Sequence, residues 1–296
     1  MPTIVSFINL KGGVAKTTTA IQIAECLSAV AKKRVLVIDL DPQTNATVAL
    51  ISEEHWENLN AKKQTIFNIF NDQLERTSCF KINQAIQKGV SNLNIPSLSL
   101  LASSIDLLNI QDRIYEIPAR CNYKINPMEV LKKAIHHELS SYDYVFIDCP
   151  PNLGLITKNG LEISDYYLIP TIPDKLSTYG LPQIIRTIKE FADARSIKIR
   201  CLGLVITKYV SNSNAHIREM ERLPARFEKI FRELQLPPAP VFDTVMPQAN
   251  ATAEAMDFET NPSTFRQKYG SGKVGGRYLY EYVVDLTNEF IRHVRN

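Results

Sequence analysis

Cysteine is scarce in this chain, and its few copies are isolated. The 296 residues include five cysteines, none of them in a C-x-x-C pair: Cys26, Cys79, Cys121, Cys149 and Cys201. Zinc sites and disulfide frameworks depend on closely spaced ligands or paired thiols, so neither is expected here. An odd number of dispersed thiols is typical of a protein kept in a reducing cytoplasm.

Long apolar runs and a strong charge imbalance are also missing. No stretch reaches the roughly 18 consecutive apolar residues that cross a bilayer. The apolar run at residues 3–8 is short and lacks the basic flank of a signal peptide. The net charge of +3 permits a polyanionic partner without requiring one. We therefore expect a cytoplasmic globular protein.

Short apolar runs recur along the chain and alternate with helical patterns. Because these runs are continuous rather than alternating, they indicate strands buried on both faces, as in a parallel sheet covered by helices. The pattern predicts an α/β fold with a doubly wound, mostly parallel sheet and helices on both faces, in one domain over residues 1–296. The predicted strands are 3–8, 34–40, 93–101, 142–150, 166–172 and 198–207, and the main predicted helices are 17–30, 127–139, 181–194, 217–234 and 277–295.

Two segments interrupt this alternation. Residues 51–92 are polar and contain the single tryptophan, whereas residues 257–276 are rich in Gly, Ser and Lys. We expect both to be peripheral insertions at one end of the sheet, and the second to be a mobile loop.

The stretch NLKGGVAKTTT, residues 9–19, predicts a phosphate-binding loop. It lies between the first strand and the first helix, where backbone N–H groups point at a phosphate. In the motif G-x-x-x-x-G-K-[ST] the lysine reaches the β- and γ-phosphates and the hydroxyl binds magnesium. Lys16 and Thr17 occupy these positions, whereas Leu10 and Ala15 replace the two glycines. The intact remainder of the motif favours a right-handed backbone at Ala15, where a Cβ is harmless.

Three aspartates follow predicted strands. Asp39 and Asp41 lie near the end of the run 34–40 and directly after it, and Asp148 lies near the end of the run 142–150. Ligands of open parallel sheets bind at this edge, and carboxylates there suit magnesium or its waters. Each aspartate alone is equally well explained as a helix cap, but together with Lys16 and Thr17 they favour a nucleotide site.

Four stretches resemble the successive motifs of the ParA/MinD family of deviant Walker-type ATPases, and in particular its ParA (Soj-like) branch. They are KGGVAKTTT, DLDPQTNAT, YDYVFIDCPPNLG and VFDTVMPQANATAEA, and the resemblance extends from residue 3 to about residue 256. It implies a P-loop NTPase fold, ATP and Mg²⁺ as ligands, an ATP-dependent sandwich homodimer, and slow hydrolysis that a partner stimulates.

The resemblance also implies residue roles. Lys11 matches the signature lysine, which reaches the phosphates of a second protomer. Lys16 matches the β/γ-phosphate lysine, and Asp41 matches the carboxylate that positions the attacking water, so these three are the candidate catalytic residues. The implied magnesium residues are Thr17, Asp39 and Asp148. The implied nucleotide-binding residues are Lys11, Gly12, Gly13, Val14, Ala15, Lys16, Thr17 and Thr18 in the loop, and Thr207, Lys208 and Pro247 around the adenine.

Basic residues cluster after the core motifs. On their own they are more readily explained as solvated helix faces, but the resemblance implies a dimer whose paired basic edges hold non-specific DNA through its phosphates. The candidate DNA-binding residues are Arg186, Lys189, Arg218, Arg222, Arg266 and Lys268. The resulting hypothesis is a nucleoid-associated ATPase that positions a plasmid, a chromosome region or another cargo, stimulated by a ParB-like or cargo-adaptor partner.

Three rival functions remain open. A MinD-like membrane ATPase would carry a basic amphipathic C-terminal helix, but here Glu281, Asp285 and Glu289 recur at four-residue intervals and would be repelled by anionic lipid. The pattern favours a terminal helix packed on the core and no stable membrane association. The second rival is an iron–sulfur electron-transfer protein, for which Cys149 lacks a second cysteine in a matching context. The third is a nucleotide-binding scaffold without turnover.

Overall fold

A seven-stranded sheet forms the centre of the protein in the computed structural model, which describes residues 1–270 and 272–295. The strands lie in the order β3-β4-β2-β5-β1-β6-β7, and only the β3–β4 pair is antiparallel. This confirms the doubly wound, mostly parallel sheet. The strands are β1 (Thr3–Phe7), β2 (Val35–Asp39), β3 (Ile86–Lys88), β4 (Leu98–Leu101), β5 (Tyr144–Asp148), β6 (Tyr166–Thr171) and β7 (Arg200–Ile206).

Helices cover both faces of the sheet. They are α1 (Lys16–Ala29), α2 (Asn45–Leu50), α3 (Glu53–Ala61), α4 (Ile66–Glu75), α5 (Ile82–Ala85), α6 (Leu107–Ile110), α7 (Ile117–Arg120), α8 (Val130–Ile135), α9 (Leu155–Leu161), α10 (Lys175–Tyr179), α11 (Leu181–Arg195), α12 (Asn214–Glu233), α13 (Asn250–Met256), α14 (Phe265–Lys268) and α15 (Leu279–Arg295). Short 3₁₀ turns lie at Ile114–Glu116 and Leu139–Ser141, and a small antiparallel hairpin pairs β8 (Lys273–Val274) with β9 (Arg277–Tyr278).

Alternate residues of the buried strands face two separate hydrophobic layers. Ile4 and Ile38 belong to the layer that includes side chains of α4, α9 and α11. Val5 and Val37 belong to the opposite layer, with α1, α2 and α15. Each strand therefore needs apolar side chains on both faces, which explains the continuous apolar runs in the sequence.

Two predicted elements are shorter in the structure. The strand predicted over 93–101 forms only at Leu98–Leu101, because the chain turns at Asn94 with φ 47° and Pro96 follows. The helix predicted over 127–139 is limited to α8, since the Asn126 side chain accepts the Met128 amide in a turn before it.

The two predicted insertions are tied to the core. Segment 51–92 supplies the edge strand β3, and Ile66 and Phe70 of its helix α4 are fully buried. In segment 257–276, of which Ser271 lies outside the described residues, the chain forms α14 and strand β8, and β8 pairs with β9 directly after the segment.

The terminal helix α15 packs against the core, as predicted. Val283, Leu286 and Phe290 are completely buried on the layer that contains α1. Glu289 is also buried and accepts hydrogen bonds from the amides of Asp243 and Thr244 at 2.7 and 2.9 Å. Within residues 1–270 and 272–295, no helix combines the length and the apolar character that crossing a bilayer requires.

Candidate functional site

The loop between β1 and α1 opens onto a cleft of about 500 Å³ at the carboxyl edge of the sheet. A Cβ built on Gly12 or Gly13 would meet no atom within 4 Å, so this side of the loop is open to a ligand. The loop is fixed from behind, where the Thr207 hydroxyl donates to the Val14 carbonyl at 3.0 Å. The cleft is lined by Gly12, Gly13, Ala15, Lys16, Thr17, Thr18, Asp41, Gln43, Asn45, Val48, Ala49, Pro151, Lys208 and Met256.

The backbone at Ala15 is left-handed, with φ 62° and ψ 33°, which corrects the expected right-handed conformation. Ala15 is the N-cap of α1, and an N-cap residue lies outside the helical conformation. Its Cβ therefore carries the steric cost of a left-handed L-residue, about 1–2 kcal/mol. This explains why related motifs have glycine at the position: the bend is required, and alanine adopts it under strain.

Lys16, Thr17 and Asp148 meet at the start of α1. The Thr17 hydroxyl donates to Asp148 Oδ2 at 2.6 Å, and the Lys16 side chain is buried with its Nζ 3.5 Å from the Lys11 carbonyl oxygen. Burial raises the pKa of Asp148 to about 7, against the hydrogen bond from Thr17 and the charge of Lys16. Asp148 Oδ1 is buried and accepts no hydrogen bond from the residues that the structure describes.

An unpaired, buried carboxylate oxygen beside a threonine hydroxyl fits a magnesium site, because Mg²⁺ binds hard oxygen donors and retains water. Among the described residues, no group of three or more His, Cys, Asp or Glu side chains is placed to hold a metal. An ion here therefore depends on ligand phosphates and water in addition to Thr17 and Asp148.

Asp39 lies beside Asp148 in the register of β2 and β5, but both of its carboxylate oxygens accept hydrogen bonds from the protein. Its Oδ2 accepts from the amide and hydroxyl of Thr47 at 2.9 and 2.7 Å, and its Oδ1 accepts from the Asp41 amide. Complete burial and the nearby charge of Asp148 raise the pKa of Asp39 well above its ordinary value. The structure thus does not support the expected magnesium role; Asp39 fixes the turn that carries Asp41.

Asp41 lines the cleft at the end of β2. Its Oδ1 accepts from the Gln43 amide at 3.0 Å, and its carbonyl accepts from the Ser103 hydroxyl at 2.7 Å. Asp41 Oδ2 accepts no hydrogen bond within the described ranges and is available to water or a ligand. This placement suits a group that orients a water molecule.

Lys11 does not line the cleft; its side chain is bound to α10. Its Nζ donates to Ser177 Oγ at 2.8 Å and lies 3.6 Å from Asp174 Oδ1. Although burial opposes ionisation of Asp174, hydrogen bonds from Ser177 and the charge of Lys11 lower its pKa. The lysine is 39% exposed, so this ion pair is accessible to competing anions.

A small cavity of about 40 Å³ adjoins the cleft and contains the predicted adenine residues Thr207, Lys208 and Pro247. It shares Ala15, Thr18 and Lys208 with the cleft. Thr207 donates its hydroxyl to backbone carbonyls of Val14 and Thr171, so its side chain serves the scaffold.

Gln22 is a lining residue of this cavity that sequence reasoning missed. It lies four residues after Thr18 on α1, and this helical spacing was the available signal. Its buried Nε2 has no hydrogen-bond partner in the described part of the chain.

The predicted DNA-binding residues divide into three groups. Arg186 on α11, Arg218 and Arg222 on α12, and Arg266 on α14 are exposed. Lys189 is partly exposed and pairs with Asp193 at 2.5 Å. Lys268 is wrong as a DNA contact, because its side chain is 1% exposed and pairs with buried Glu25 at 2.7 Å.

Comparison with known proteins agrees with this geometry. The family model described as AAA domain matches residues 2–201. The sporulation initiation inhibitor protein Soj of Bacillus subtilis is 30% identical over 86% of this chain and 88% of its own length. The chain belongs to the ParA/MinD family of P-loop ATPases.

Two further proteins show the same similarity to this ParA-like chain. The chromosome partitioning protein ParA of Myxococcus xanthus is 30% identical over 79% of this chain and 75% of its own. The structure of cobyrinic acid a,c-diamide synthase from Mycobacterium smegmatis, with bound ADP and magnesium, is 25% identical with a TM-score of 0.67, covering 85% of this chain and 89% of that one. Kinship with Soj and ParA over most of both chains makes this protein a ParA-like partitioning ATPase.

Proposed function

We propose that this protein binds ATP with Mg²⁺ in the cleft, dimerises on ATP, and hydrolyses it slowly until a partner stimulates turnover. One observation carries the assignment: Lys16, Thr17 and Asp41 line the same cleft beside the phosphate loop, and Asp148, at the end of β5, accepts a hydrogen bond from the hydroxyl of Thr17. The ADP and magnesium described for the Mycobacterium smegmatis relative support the choice of ligand.

The side chains have separable roles in this proposal. Lys16 binds the β- and γ-phosphates, and Asp41 orients the attacking water with its unpaired Oδ2. Thr17 and Asp148 hold the magnesium ion, which when bound neutralises charge on the phosphates. Thr18 contacts the α-phosphate, and the 40 Å³ cavity with Lys208 and Pro247 receives one edge of the adenine.

The surface beside the cleft supports the proposed homodimer. Two large apolar side chains of α10, Leu176 and Tyr179, are 78% and 82% exposed. They lie on the helix that binds Lys11, and large exposed apolar groups beside a functional site are typical of an interaction surface. In the dimer, Lys11 leaves Asp174 and reaches the phosphates of the second protomer, where a fixed cation stabilises the departing γ-phosphoryl charge.

ATP turnover tests this assignment. Lys11→Ala and Asp41→Asn are expected to lose most turnover, whereas Lys62→Ala, at an exposed lysine after α3, is expected to retain it. ATP binding should survive in Asp41→Asn, because Lys16 and the loop amides remain. Unchanged turnover in both site variants would show that these residues do not catalyse, and absent turnover in the wild type with ATP bound would favour a scaffold.

Exposed arginines support non-specific DNA as the surface to which the ATP dimer binds on the nucleoid. Arg186, Arg218, Arg222 and Arg266 are exposed, and neutralising DNA phosphates with such side chains releases counterions. A ParB-like or cargo-adaptor partner then stimulates hydrolysis and releases the dimer into the cytoplasm, so that a plasmid, chromosome region or other cargo is positioned.

Co-sedimentation with DNA and with anionic liposomes, each with and without ATP, distinguishes the nucleoid from a membrane. Reversing Arg218 and Arg222 to Glu should abolish DNA binding. The charge-matched control Lys62→Glu/Lys63→Glu, at exposed residues between α3 and α4, should leave it intact. ATP-dependent liposome binding without DNA binding would overturn the nucleoid assignment in favour of a MinD-like function.

A further inference from the structure

Polar contacts connect the phosphate loop to the basic helix α12 through α10. At one end, Lys11 Nζ donates to Ser177 Oγ at 2.8 Å. The next residue, Thr178, donates its hydroxyl to Glu219 Oε1 on α12 at 2.6 Å. Ser177 and Thr178 are adjacent in a helix of five residues, so a displacement of one carries the other.

The α12 end of this connection is buried and charged. Thr178 is 1% exposed and Glu219 is 8% exposed, and Glu219 Oε1 also lies 2.7 Å from Arg226 Nη2. Thr178 is the side chain that hydrogen-bonds Glu219, whereas Arg226 Nη2, which has no hydrogen-bond partner among the described residues, pairs with it by charge alone. A buried carboxylate between a hydroxyl donor and a cation resists displacement relative to them, since losing either contact leaves its charge poorly compensated. Glu219 therefore fixes α12 to α10.

The basic face of α12 is directly attached to this anchor. Arg218 precedes Glu219 in sequence and Arg222 lies one turn later, and both side chains are exposed. A rotation or shift of α12 at Glu219 therefore changes where these two cations are presented.

We propose that the Thr178–Glu219 contact couples the position of Lys11 to the DNA affinity of α12. This inference rests on the proposed function, in which Lys11 leaves α10 for a phosphate. Asp174 and Ser177 then lose their cation, α10 repacks, and Thr178 carries Glu219 and the adjoining arginines with it. Thr178 and Glu219 are positioning residues: they lie outside the cleft and act through α10 and α12.

The experiment measures DNA affinity with and without a non-hydrolysable ATP analogue. In the wild type the analogue should tighten DNA binding about tenfold, within the usual range for coupled sites. Thr178→Val removes the hydroxyl while keeping the shape, and should reduce this ratio to less than about twofold. Thr178→Ser retains the hydroxyl and should restore the wild-type ratio, while affinity for the analogue alone stays unchanged in both variants.

The control is Thr187→Val, which removes a hydroxyl that accepts a hydrogen bond from Gln183 on the exposed side of α11. It should leave the ratio at its wild-type value, and thermal melting should show all three variants folded. A wild-type ratio in Thr178→Val, or equal losses in Thr178→Val and Thr187→Val, would refute the coupling while leaving the proposed function in place. Absence of DNA binding by the wild type with the analogue would instead refute the DNA assignment, and this inference with it.

Discussion

Ala15→Gly should stabilise the protein, although replacing an alanine by glycine usually lowers the stability of the folded state. Ala15 has φ 62° and ψ 33° at the N-cap of α1. A left-handed conformation costs a residue with a Cβ about 1–2 kcal/mol, and glycine avoids this. Glycine in turn loses about 0.5–1 kcal/mol more conformational entropy than alanine on folding. The difference is a gain of about 0.5–1 kcal/mol in the free energy of unfolding.

Thermal and urea unfolding measure this gain. For a chain of this size it corresponds to a rise in Tm of about 1–2 °C and a proportional rise in the urea midpoint. The matched control is Ala225→Gly, at an exposed position inside α12, where the same chemical change should lower stability by about 1 kcal/mol.

The two substitutions should therefore shift Tm in opposite directions. If Ala15→Gly destabilised the protein as much as Ala225→Gly, the left-handed strain at the phosphate loop would not exist. The difference between the two variants is the informative quantity, because both lose the same side chain.

Three further predictions address other parts of the fold. Lys268→Met leaves Glu25 buried without its cation and should lower the free energy of unfolding, measured by urea denaturation, by about 3 kcal/mol. The control Arg266→Met, at an exposed neighbour, should change it by less than about 0.5 kcal/mol. Equal effects would mean that the ion pair contributes nothing. Burial raises the pKa of Cys26 to about 11 and the pKa of Cys149 to about 12, from an ordinary 9.0. At pH 8 both thiols therefore stay protonated, and they should react with iodoacetamide only after the protein is unfolded. Rapid labelling of the folded protein would contradict their burial. Because these folded-state pKa values are raised, the stability they contribute is complete below pH 9 and declines as the pH rises through 11 and 12. Leu176→Asp should abolish the ATP-dependent dimer in analytical ultracentrifugation while nucleotide binding persists. The control Leu108→Asp, at another exposed leucine, should leave dimerisation intact. If both variants dimerised, the interface would lie elsewhere.

Buried parallel strands were predictable because each must be apolar on both faces. The runs at residues 34–40 and 166–172 differ from β2 and β6 by at most one residue at either end. Strand β3 was not predictable: its sequence IQK lacks an apolar run, and it forms only because an edge strand needs one partner and one buried residue, Ile86. Pairing with a distant strand is information that a short sequence window does not contain.

Around the cleft, too, some features were predictable from the sequence and others were not. Lys16, Thr17, Asp41 and Asp148 could be placed together from the sequence, because the chemistry of phosphate and magnesium restricts residue type and spacing, and strand ends lie at one edge of the sheet. Asp39 resembles Asp148 in sequence context but has both carboxylate oxygens bound to protein donors. Lys268 resembles the exposed Arg266 but is buried against Glu25.

The sequence by itself determined the fold class and which residues of the loop and strand ends lie around the cleft, because local patterning and motif spacing are properties of neighbouring residues. Only the tertiary structure decided which charged side chains are free and which are already paired, how Ala15 bends, and where Lys11 is held. These properties depend on contacts between residues far apart in the chain: Lys11 meets Ser177, and Glu25 meets Lys268, only after the fold has brought their segments together.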